Sequence, residues 1–235
     1  MKKYLKMALL GIMAIIGMLF MLAVKGTLVD YGILKDKNED PQVTVTYEYN
    51  PKQMEKSKKS ISDSDYQDTL QLALEKGRKD LDDETMYQKN IDEVIKRIEN
   101  EEYILLYFRS VKNKKQECFT MAKFKKKEID GKEKYYFLLC YPTEDEKNAW
   151  YIGNFKDDIE GLLVLSDYMQ DLNINPSKGR FIYGDTRFEE IYDLKIEGQR
   201  PTEIIPYKSF GKQWYFWYYE NLESDKVGSQ LEFTY

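Results

Sequence analysis

Eighteen consecutive residues, Met7–Val24 (MALLGIMAIIGMLFMLAV), carry no charge and no strongly polar side chain; Lys2, Lys3 and Lys6 precede them and Lys25 follows. As a helix at 1.5 Å per residue, this run spans roughly 27 Å, just short of a hydrocarbon core of about 30 Å. A buried helix of a globular domain would need a polar face toward water, and this segment has none. Tyr4 and Tyr31 stand where interfacial aromatic rings are expected. The lysines on the front side keep the N-terminus in the cytoplasm, so residues 26–235 are expected outside. A cleaved signal peptide is the competing reading. Its apolar core is usually about 7–15 residues, and neither an Ala-x-Ala site nor a nearby cysteine for lipid attachment is present. We therefore expect an uncleaved signal-anchor over residues 1–25. Gly11 and Gly17 are six apart, so the helix lacks the GxxxG spacing for dimerisation.

The rest of the chain is acidic. Only four of the 36 Lys+Arg lie at or before residue 25, leaving 32 against all 41 Asp+Glu, a net −9. Such a balance opposes nucleic-acid binding, which wants a basic surface. A composition rich in Lys, Glu, Ile and Tyr and poor in Ala points to an AT-rich bacterial genome of Gram-positive type.

Histidine is absent, which excludes Ser-His-Asp and Cys-His catalysis and His-ligated zinc. Acidic clusters occur at Asp80–Glu84 and at Asp157, Asp158 and Glu160. Both lack the D-x-D-x-D-G loop of a calcium site and read as helix-start acids. No Walker A, GxGxxG or G-x-S-x-G motif is present. We expect no metal and no cofactor.

Residues 26–60 read as a stalk, with a short alternating strand at Val43–Tyr49 and four lysines between Lys52 and Lys59. Residues 61–235 read as an extracytoplasmic α+β domain, an antiparallel meander packed with two or three helices. Ser62 with Asp65 marks a helix start, followed by a stripe of Tyr66, Leu70, Ala73 and Leu74 and an end near Gly77. A second helix is predicted from Asp83 to Asn100 on the stripe Tyr87, Ile91, Val94, Ile95 and Ile98, and a third from Asp157 to Asn173. Strands are predicted at Tyr103–Val111, Cys118–Lys126 and Lys134–Tyr141. Pro142–Lys147 reads as a loop followed by Trp150–Ile152, and shorter strands are predicted near Phe181–Tyr183, Ile191–Ile196, Glu203–Tyr207, Gln213–Tyr219 and Gln230–Thr234.

Cys118 and Cys140 lie in the part expected outside the cell, where a disulfide is chemically allowed. A two-residue turn at Asp130-Gly131 would set Ile129 opposite Lys132, hence Cys118 opposite Thr143 and Cys140 opposite Met121. The thiols would then be three positions out of register, roughly 10 Å apart at about 3.3 Å per residue, too far for a bridge.

Two constellations stand out. Trp214, Tyr215, Phe216, Trp217, Tyr218 and Tyr219 are six aromatics in a row. In a strand, Trp214, Phe216 and Tyr218 face one way and Tyr215, Trp217 and Tyr219 the other. Burial on both faces accounts for them without a ligand, whereas one open face would bind a sugar polymer or a protein. The stretch from Lys112 to Lys134 holds nine lysines, among them Lys112, Lys114, Lys115, Lys123, Lys125, Lys126 and Lys127, against four acids. These are either the guard of an edge hairpin or a docking patch for an anionic envelope polymer, lipid headgroups or an acidic protein.

The leading expectation is a single-pass membrane protein, anchored through Met7–Val24, whose outer domain binds a protein or envelope component. A carboxylate-dependent cell-wall hydrolase is the alternative from the enzyme class, and a structural subunit of an envelope complex is the third.

Overall fold

A computed structural model describes residues 61–144 and 153–235, apart from residues 84, 114, 115 and 210. The expected anchor Met7–Val24, the strand Val43–Tyr49 and the segment Trp150–Ile152 lie outside the described residues. The described residues fall in one unit, Ser60–Tyr235. Among them, no helix is long and apolar enough to cross a membrane.

Antiparallel sheets and two α-helices make an α+β fold. The first sheet is a meander of β1 (Glu93–Glu99), β2 (Tyr103–Lys112), β3 (Gln116–Ile129) and β4 (Lys132–Glu144) in sequential order. Asp130 and Gly131, with φ of 54° and 74°, form the tight turn between β3 and β4. Asp-Gly suits it because both central residues need positive φ. The second sheet holds β5 (Arg180–Thr186), β7 (Glu203–Ser209) and β8 (Lys212–Leu222) in the order β5-β8-β7. A small pair, β6 (Lys195–Ile196) and β9 (Phe233–Thr234), stands apart from both.

Alternation along the strands builds four layers. Ile104, Leu106 and Phe108 of β2 join Ala122 and Phe124 of β3 beneath helix α1 (Leu70–Gly77), through its Ala73 and Leu74. The opposite side chains, Leu105, Tyr107, Phe119 and Met121, meet Phe181, Phe216 and Tyr218 of the second sheet. On that sheet's far side, Ile182, Tyr215, Trp217 and Tyr219 pack under Phe155, Ile159 and Leu163 of helix α2 (Phe155–Leu165). The order is helix, sheet, sheet, helix, with each strand's period of two dividing its residues between adjacent cores. Gly184 lets α2 come close: a Cβ there would lie 2.2 Å from Leu162 Cδ1 and 3.0 Å from Trp217 Cζ2.

Several predicted elements differ. The helix expected over Asp83–Asn100 is instead a 3-10 turn at Met86–Lys89 followed by strand β1. Ile95 sits at a bulge, since Val94 pairs with Phe108 and Lys96 with Tyr107. Both Ile95 and Ile98 therefore turn toward the second sheet. A strand with a bulge thus imitates the i, i+3 spacing of a helix. Ser62 and Asp65 do form the expected cap contact, Ser62 N–H donating to Asp65 Oδ2 at 3.0 Å, but it closes only a 3-10 turn. Gln67 then pairs with Tyr135 at the edge of β4 before Thr69 caps α1.

The helix expected over Asp157–Asn173 starts on an Asn154 cap and ends at Leu165. Asp167 is held by the Arg180 guanidinium and the Gly228 amide, and the chain tightens into a 3-10 turn at Tyr168–Leu172. Of the strands expected at Ile191–Ile196 and Gln230–Thr234, only β6 and β9 form, each preceded by a 3-10 turn, at Glu189–Tyr192 and Gly228–Gln230.

The cysteines are free, Cys118 buried and Cys140 half-buried. Ile129 does pair with Lys132, but an extra residue, Leu138, enters β4 where Lys123 pairs with Leu139 and Phe124 with Phe137. Cys118 therefore faces Glu144, not Thr143, and Cys140 faces Ala122, not Met121. The thiols are four positions apart, roughly 13 Å at about 3.3 Å per residue.

Candidate functional site

The aromatic run occupies β8, the middle strand of the second sheet, with β5 on one side and β7 on the other. Tyr215, Phe216, Trp217, Tyr218 and Tyr219 are all buried, and Trp214 at the strand's beginning is half-buried. Its two faces are those the alternation predicts, Tyr215, Trp217 and Tyr219 toward α2 and Phe216 and Tyr218 toward the first sheet. Neither face of residues 215–219 is open to a ligand, which corrects the reading of an exposed aromatic platform.

The lysine-rich stretch is largely neutralised within the domain. Lys125 pairs with Glu102 at 2.9 Å, Lys126 with Glu99 at 3.0 Å, and Lys127 with Asp63 at 2.6 Å. Lys123 donates to the carbonyls of Asp171 and Asn173 at 2.9 and 2.8 Å and lies over the Tyr103 ring. Its burial lowers its pKa, against the pull of Asp171 and Glu102. Lys112 Nζ sits 5.6 Å from the centre of the Tyr87 ring. Lys114 and Lys115 lie outside the described residues. Pairs as exposed as these add little to stability, yet together they leave much less free charge than the sequence count suggests.

Sequence reasoning did not single out the polar groups that cross between the sheets. Asp185 of β5 turns toward the first sheet, where its Oδ2 accepts the Tyr107 hydroxyl at 2.9 Å and the Tyr207 hydroxyl at 3.0 Å. The residue keeps some contact with solvent, but protein atoms crowd its carboxyl. Desolvation raises its pKa, and the two tyrosine hydroxyls pull the other way. Burial, together with the Asp185 charge, raises Tyr107, Tyr183 and Tyr207 in turn.

A second contact joins the end of β7 to the start of β3. The buried Glu117 accepts from the Ser209 hydroxyl and from Arg109 Nη1 at 3.1 Å. A third joins Lys96 of β1 to Glu203 of β7, which also accepts the Tyr218 hydroxyl at 2.9 Å. The hydrogen bond from Lys96 is the main reason the Glu203 pKa is lowered, and burial opposes it. The available signal in the sequence was an acid on an inward position of an alternating strand, Phe181-Ile-Tyr-Gly-Asp185. Buried polar groups of this kind need partners, and here the fold supplies them.

Among the described residues, no three His, Cys, Asp or Glu side chains gather as metal ligands. No family model matches the chain, and comparison with the curated proteins and with the solved structures finds no match.

Proposed function

We propose that the chain is a single-pass envelope protein, anchored through Met7–Val24, whose residues 61–235 are an extracytoplasmic head that binds a protein partner without transforming it. The observation that carries this reading is the use made of the two inward carboxylates. Asp185 and Glu117 have oxygens taken by tyrosine, serine and arginine donors of the fold itself. A glycosidase-type site needs two acids flanking an opening for substrate, about 5–10 Å apart. A protein partner is favoured over an anionic polymer because the hairpin lysines already face acids of the same domain.

One observation favours the hydrolase as a second reading: burial raises Asp185, the direction a general acid requires. The two readings part on experiment. Protease added to intact cells is expected to digest residues 61–235 and spare the N-terminal segment, and mild-detergent purification of the full chain is expected to retain an envelope protein. A head protected from protease sinks the placement. Wall-glycan cleavage that Asp185→Asn abolishes sinks the binding role.

A further inference from the structure

We infer that the exposed face of α2 is the docking surface of the head, and that its occupant is a basic amphipathic helix of a partner protein; this rests on the binding role proposed above. Val164 and Leu165 of α2, and Tyr168 in the 3-10 turn that follows it, are 57%, 55% and 61% exposed, although the buried side of α2 is filled by Phe155, Ile159 and Leu163. Gly161, Val164 and Leu165 occupy positions i, i+3 and i+4 of α2, the spacing by which one helix reads another, and Tyr168 follows just beyond its end. Val227, 48% exposed, precedes Gly228, whose amide donates to Asp167 at 3.1 Å.

Gly161 is the independent sign. It is exposed in the middle of a helix, where glycine is disfavoured, and a Cβ built on it would meet none of the described residues within 4 Å. Packing among the described residues therefore gives no reason for a glycine at this position, in contrast to Gly184 on the sheet below. A second helix crossing here would give that reason, since a missing side chain lets two backbones approach closely.

Charge selects the occupant. Residues 155–172 contain Lys156 against Asp157, Asp158, Glu160, Asp167 and Asp171. Lys156 pairs with Glu160, Arg180 with Asp167, and Lys123 donates to the Asp171 carbonyl. With Arg180 and Lys123 counted, three basic groups stand against five acids and the balance is still −2. A second copy packed about a two-fold axis would bring acids against acids. An anionic lipid surface would be repelled for the same reason. A helix with an apolar stripe and lysines or arginines along its flanks meets both the apolar residues and the surrounding charge.

The test uses the full chain in nanodiscs and two synthetic 18-residue helical peptides that share one leucine stripe, flanked by lysine in one and by glutamate in the other. The lysine peptide is expected to bind at least about tenfold more tightly, a difference readily resolved by titration calorimetry. Gly161→Gln, whose side chain projects into open space in the free protein, and the double change Val164→Ser with Leu165→Ser are each expected to weaken that binding by about tenfold or more. Circular dichroism and thermal melting confirm that each variant is folded. Equal binding of both peptides, binding of neither, or binding unaffected by both variants overturns the inference. So does a concentration-dependent dimer, or retention on anionic vesicles, that Gly161→Gln abolishes. An envelope protein that co-purifies equally well with Gly161→Gln would overturn this surface and leave the binding role standing.

Discussion

The Tyr107 hydroxyl of β2 donates to Asp185 of β5 across 2.9 Å, tying together two sheets through residues 78 positions apart in the chain. Around this contact, Tyr107 and Phe216 stack with ring centres 4.1 Å apart. The seam between the sheets therefore combines aromatic packing with a polar bond whose acceptor has little water to replace a lost donor.

Tyr107→Phe keeps the ring and deletes the donor. It is expected to destabilise the head by about 1–2 kcal/mol, because Asp185 is left with a weaker share of hydrogen bonds. Combining it with Asp185→Asn is expected to cost less than the sum of the two single changes, a coupling of about 0.5–3 kcal/mol in urea unfolding. Strict additivity would mean that the contact does not hold the sheets together.

Asp185 also predicts a pH dependence with a definite sign. Its folded pKa is raised by desolvation, above an unfolded value of about 4. The native state thus binds the proton more tightly, so this group's contribution to stability falls as pH rises from about 4 through the raised value. Glu203, lowered through Lys96, acts in the opposite sense and loses its contribution as pH falls below about 4.5. The difference in unfolding free energy between the wild type and Asp185→Asn cancels Glu203 and should decline with rising pH across that window. A flat difference would show that Asp185 is not desolvated.

Gly184→Val is expected to destabilise by about 1–3 kcal/mol or more, since its side chain must displace Leu162 and press on Trp217. Adding Leu162→Ala should recover part of the loss by making room. Thermal melting of the three proteins measures this, and no recovery would mean that the β5 backbone, not the helix contact, bears the strain.

Both cysteines should titrate as thiols in denaturant without any reductant. In the native protein Cys118, fully buried, should be unreactive, and Cys140 should react slowly because burial raises its pKa more than Arg78 lowers it. An alkylation assay that finds fewer than two thiols after unfolding would contradict the register of β3 and β4.

Much of the head was legible locally. The Asp130-Gly131 turn, the opposite faces of residues 214–219 and the three strands between Tyr103 and Tyr141 depend on turn chemistry and a period of two, both of which act over a few residues. Two of the misreadings have one cause in common: bulges. Ile95 gave β1 a helical spacing, and Leu138 moved Cys140 one place along β3. A bulge is set by what lies across the strand, so no local pattern announces it.

The sites behaved differently from the strands. Which way each of the six aromatics points follows from the chain alone, but whether those faces are covered depends on α2 and the first sheet arriving on either side. The same holds for the lysines, whose acidic partners at Asp63, Glu99 and Glu102 lie outside the hairpin that carries them. Side-chain direction is a short-range property that the sequence by itself determined. Burial and charge pairing are long-range ones, and only the packing of the sheets and helices decided which groups were used within the fold and which face of α2 was left exposed.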